Sequence, residues 1–97
     1  MDTPTALREM CVDLASALEF VSEEGGLQVD GFEDCIVGVA TRCSKQPLLV
    51  YATDKIVAKL MGDGMSYEEA VEYFEFNISG AWHGPGTPLF LEVVDEV

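Results

Sequence analysis

His83 is the single histidine of the chain, so any Cys–His or Ser–His couple has to use it as the base. It stands in Gly80-Ala81-Trp82-His83-Gly84-Pro85-Gly86-Thr87-Pro88, a glycine- and proline-punctuated loop of the kind on which functional side chains often sit. The nucleophiles it could serve are Cys35, Cys43, Ser44 and Ser79, and none lies in the local signature of a hydrolase. A surface histidine beside an aromatic anchor is therefore the favoured reading. A small enzyme pairing His83 with a cysteine or a carboxylate is kept as an alternative, and it requires a concave site holding both groups.

Metal and phosphate chemistry find less support. Cys11, Cys35, Cys43 and His83 show no paired CxxC or HxxxH spacing, so no structural zinc is expected. Asp30-Gly31-Phe32-Glu33-Asp34 is acidic and turn-like but lacks the ligand spacing of a calcium loop. Gly62-Asp63-Gly64 carries an aspartate and no following lysine, which suits a connector between helices and not a phosphate cradle. No cofactor, no metal and no catalytic residue is assigned.

Charge is the unusual quantity. Eighteen Asp and Glu against five Lys and Arg give a net charge of −13 over 97 residues. Such a surface repels phosphate backbones and anionic membranes and favours basic partners, so direct nucleic-acid and membrane binding are not expected. Part of the acidity is organised: Glu68, Glu72 and Glu75 recur at helical spacing, as one face that either is simply solvated or meets a basic protein surface. Trp82 and His83 are the second candidate surface. Trp82 either stands out as a binding hot spot or folds back to plug the core, and the sequence leaves both open.

The elements that must position these residues follow from hydrophobic spacing. Leu7, Met10, Cys11, Leu14, Leu18 and Val21 form a helical stripe from about Pro4 to Ser22, capped by Asp2 or Thr3 and stopped at Gly25-Gly26. Leu27 to Asp30 is a candidate short strand, and Asp30-Gly31 a turn. Two β-branched runs, Cys35–Arg42 and Leu48–Ala52, are joined by Cys43–Pro47, a connection short enough for an antiparallel hairpin. Thr53 or Asp54 is positioned to cap a helix that turns Ile56, Val57, Leu60 and Met61 inward, with Lys55 and Lys59 outward. Ser66-Tyr67-Glu68-Glu69 reads as a capping box opening a helix to about Phe76 or Asn77, with Tyr67, Ala70, Val71, Phe74 and Ile78 on its apolar side. Leu89 to Val94 closes the chain as a strand. The expected architecture is one α+β domain over residues 1–97: a small antiparallel sheet of three to four strands with helices packed on one face, in the order α-β-β-α-α-β. At 48% hydrophobic residues the chain has enough apolar material for one core. An odd cysteine count, no long apolar run and no signal-like N-terminus place it, as an expectation, as a reduced protein of the cytoplasm.

From Asp30 to Phe90 the chain resembles a group of small uncharacterised proteins encoded by tailed bacteriophages and prophages. Asp30-Gly31-Phe32, Gly38, Asp63-Gly64-Met65, Glu69-Ala70, Phe74-Glu75-Phe76-Asn77, Gly80-Ala81-Trp82 and Thr87-Pro88 carry the likeness. It implies a bacterial host cell as the setting and assigns no catalytic residue. The leading expectation is a non-enzymatic, acidic protein-binding module, such as a phage accessory protein engaging a host or phage protein. A self-assembling component, burying the Leu7-to-Val21 stripe or an edge strand in a homo-oligomer, is the remaining alternative.

Overall fold

A computed structural model describes residues 13–94. Helix α1 spans Leu14–Glu23, strands β1 and β2 span Ile36–Arg42 and Lys45–Ala52, and helix α2 spans Thr53–Gly62. Helix α3, Tyr67–Tyr73, continues into a π-helical segment, Phe74–Ser79, and β3 is Leu89–Leu91. The class is α+β, in the expected order of elements.

Helix α1 starts later than the apolar spacing predicts. Asp13 is extended, with ψ 164°, and its carboxylate accepts from the Ser16 amide, so it is the N-cap. The expected cap at Asp2 or Thr3 and the stripe residues Leu7, Met10 and Cys11 lie outside the described residues. Ala17 and Val21 are buried, whereas Leu14 is exposed. The helix ends where glycine permits: Gly25 takes φ +87°, while the Gly25 and Gly26 amides donate to the Ser22 and Val21 carbonyls. Helix α2 ends in the same way at Gly64, φ +110°, with Met65 N–H on the Leu60 carbonyl.

β1 and β2 form the expected antiparallel hairpin, with Val39 opposite Leu49 and Ile36 opposite Tyr51. Its turn is tighter than predicted, because Lys45, Gln46 and Pro47 belong to β2 and Ser44 takes the left-handed φ of 63°. Pro47 is tolerated there because the pairing shifts between Ala40 and Arg42, so its missing N–H falls at a bulge. The segment Leu27 to Asp30 is not a strand. Its amides are taken by a loop and a side chain: Leu27 N–H donates to Gly86 O and Val29 N–H to the Tyr51 hydroxyl, at 2.8 Å.

The third strand corrects the expected sheet. β3 pairs with β2 in parallel, Tyr51 opposite Phe90, so the sheet is mixed, in the order β1-β2-β3. Everything from Thr53 to Pro88 lies between the two strands, ample for the crossover that parallel pairing requires. β3 is also shorter than predicted, ending at Leu91.

Two smaller expectations change. Neither Thr53 nor Asp54 caps α2; the helix leaves β2 directly with Ala52 at the N-cap position, and the buried Thr53 hydroxyl has no hydrogen-bond partner among the described residues. Ile56, Val57 and Leu60 turn inward as predicted, but Met61 is exposed. The core gathers Val21, Leu49, Tyr51, Ile56, Ala70 and Phe74 on one face of the sheet. Phe90 fastens the last strand to it, 6.0 Å from the Tyr51 ring and 5.3 Å edge-on to Phe74.

Candidate functional site

Helix α3 is set by local chemistry. The Ser66 hydroxyl accepts from the Glu69 amide, and the Glu69 carboxylate accepts from the Ser66 amide at 2.9 Å. That backbone donor holds the Glu69 carboxyl below its ordinary value. Ala70, Phe74 and Ile78 then turn inward at four-residue spacing, which the wider π turn accommodates. Phe76, two residues past Phe74, is thrown to the far side and is 75% exposed. Tyr67, expected on the apolar side, is also exposed, because at the first helical position it lies beyond the edge of the core.

Glu68, Glu72 and Glu75 are all exposed, and Glu72 and Glu75 border different clefts. Glu72 opens on a shallow cleft shared with Glu69, Tyr73, Phe76 and Asn77. Glu75 opens instead on a larger groove, shared with Tyr67, Val71 and Phe74. Asn77 also lines the cleft that holds Ala81 and His83, so the Phe76 cleft and the Trp82-His83 loop are neighbours. Trp82 is 74% exposed, which answers the alternative of a core plug. The loop presenting it is held by Thr87, whose hydroxyl accepts from His83 N–H at 2.9 Å and donates to Gly84 O at 2.8 Å.

The nucleophile candidates are dispersed. Cys35 is in the core, 2% exposed, and burial together with the neighbouring Asp34 carboxylate pushes its thiol pKa up, the reverse of activation. Cys43 and Ser44 form the hairpin turn, and Ser79 lines the groove with Glu75. The cleft containing His83 is lined by no cysteine and no carboxylate. Among the described residues no three His, Cys, Asp or Glu side chains are gathered as a metal site. Asp34 is instead occupied with Lys59, at 2.9 Å, which holds its carboxyl low and raises the Lys59 pKa; the ammonium also lies 5.7 Å over the Phe32 ring.

The surface that emerges is thus broader than the residues expected from sequence. Phe76 and Tyr73 join Trp82, His83 and Glu72 on it. The signal for Phe76 was present: in Phe74-Glu75-Phe76-Asn77-Ile78, a helix that buries positions 74 and 78 turns 76 away. No helix among the described residues is long and apolar enough to cross a membrane. Comparisons of the chain with protein-family models, curated proteins and solved structures give no match.

Proposed function

We propose that the chain is a non-enzymatic protein-binding module that engages its partner through the aromatic and acidic surface of Phe76, Trp82, His83 and Glu72. The observation that carries this reading is the exposure of Phe76 and Trp82, each three-quarters open to solvent, with Glu69 and Glu72 in the cleft beside Phe76. Large aromatic side chains are the usual anchors of protein interfaces, and leaving two of them in water has no value to the fold. The flanking negative charge selects a partner with a basic patch and steers its approach. In the setting that the resemblance implies, the partner is a host or phage protein within the bacterial cytoplasm.

The test is capture from a bacterial host lysate with the wild-type chain and with a Phe76→Ser/Trp82→Ser double variant, at low and high salt. The reading expects a discrete protein on the wild type that is lost on the variant and weakened by salt. Equal retention by both chains removes the aromatic surface from the function.

A further inference from the structure

A second surface lies on the opposite flank of α3. Asp54, Val57, Ala58 and Met61 follow one another along α2 at i, i+3, i+4 and i+7, and all four line a groove of about 700 Å³. Its other wall is Tyr67, Val71, Phe74 and Glu75, at i, i+4, i+7 and i+8 along α3 and the π-helical segment. Glu92 and Val93, just beyond β3, complete the lining. Two helices thus turn apolar stripes toward a common slot, and among the described residues no third helix fills it. Ala58, Met61 and Tyr67 are left exposed along it.

We infer that this slot is a docking site for a basic amphipathic helix. Stripes at these spacings on facing helices are what a third helix packs against, inserting its own i, i+3, i+4 and i+7 side chains. The stretch of α2 from Asp54 to Met61 is about 10 Å long at 1.5 Å per residue, so two turns of the incoming helix make the contact. Charge decides the kind of helix. The ionised residues of the lining are Asp54, Glu75 and Glu92, all carboxylates, so an apolar stripe flanked by Lys or Arg is matched and one flanked by Glu is repelled. The site is separate from the Phe76–Trp82 surface, and either can stand without the other.

Three synthetic 15-residue peptides test this against the ¹⁵N-labelled wild-type chain. One has a leucine stripe at i, i+3, i+4 and i+7 on a lysine background, one has the same stripe on glutamate, and one has the lysine composition with the leucines scrambled. The striped lysine peptide is expected to bind, with amide shifts concentrated at Ala58, Met61, Val71 and Ser79. Its affinity is expected to fall at least fivefold in Glu75→Gln/Glu92→Gln and in Ala58→Arg, and to stay within twofold in Glu23→Gln/Glu24→Gln, which removes the same charge elsewhere. Circular dichroism of each variant confirms that it is folded. Equal binding of the scrambled peptide, equal weakening by the Glu23/Glu24 variant, or shifts centred on Phe76 and Trp82 would each overturn the site. A wild-type dimer in light scattering that Ala58→Arg dissolves would also overturn it, by making a second copy the occupant.

Discussion

The hairpin with α2 and the stretch from Tyr67 to Leu91 handle their apolar residues in opposite ways. In the first, Leu49, Tyr51 and Ile56 are wholly withdrawn from solvent, and the pairing of β1 with β2 is continued straight into a helix that covers it. In the second, Ala70, Phe74 and Ile78 reach the core while Phe76 and Trp82, on the same stretch of chain, stand in water. Phe90 touches both regions, packing on Tyr51 and on Phe74, and so ties the presenting segment to the supporting one. The difference separates what holds the fold from what the fold holds out.

Substitutions break that contrast in a graded order. Leu49→Ala opens a cavity under the sheet and is expected to cost about 3 kcal/mol in a denaturant titration, a large share of the roughly 5–15 kcal/mol that holds a domain of this size. Tyr51→Phe keeps the ring but removes the hydroxyl that accepts from Val29 N–H, for a loss of roughly 1.5 kcal/mol, with faster amide exchange at Val29. Ser66→Ala removes half of the capping box and is expected to lower stability by about 1 kcal/mol, and to fray α3 first. At the other end, Phe76→Ser and Trp82→Ser are expected to stay within about 0.5 kcal/mol of wild type. A large loss of stability in either would move that residue from the presenting region to the supporting one.

Acid sharpens the same contrast without mutation. Asp13, Asp34 and Glu69 are all held below their ordinary values, by Ser16, Lys59 and Ser66 respectively. Lowered carboxyl pKa values stabilise the fold fully above the unfolded values and lose that effect as pH falls through the folded ones, so thermal stability is expected to decline below about pH 4. These three groups act on the starts of α1 and α3 and on the Asp34–Lys59 tie to α2. Amide exchange in acid is therefore expected to rise first there and last in β2.

The parts legible in the sequence are those fixed by near neighbours. The Ser66–Glu69 box, the stop at Gly25 and the antiparallel hairpin depend on residues a few positions apart, and all three are found, the hairpin with a shorter turn than the sequence suggests. The parallel docking of β3 depends on where a long crossover returns, which no local pattern encodes. The start of α1 at Leu14 reflects Asp13, which supplies a side-chain acceptor in the middle of a longer apolar spacing. For the site, Trp82, His83 and Glu72 were legible as candidates by residue type. The division of Glu72 from Glu75 was not, because it needs the groove formed by α2, a separate helix. Phe76 falls at the expected end of the α3 helix, where residue type alone does not distinguish an exposed aromatic from one that closes the core.

Trp82 is the one tryptophan of the chain, so its fluorescence reports on the binding surface alone. In the isolated protein the emission is expected to be that of a solvated indole, readily quenched by acrylamide. Addition of the protein captured from lysate is expected to shift it to the blue and protect it from quenching. An emission already blue and protected in the isolated chain, or one unmoved by a bound partner, would contradict the role given to the Trp82 surface.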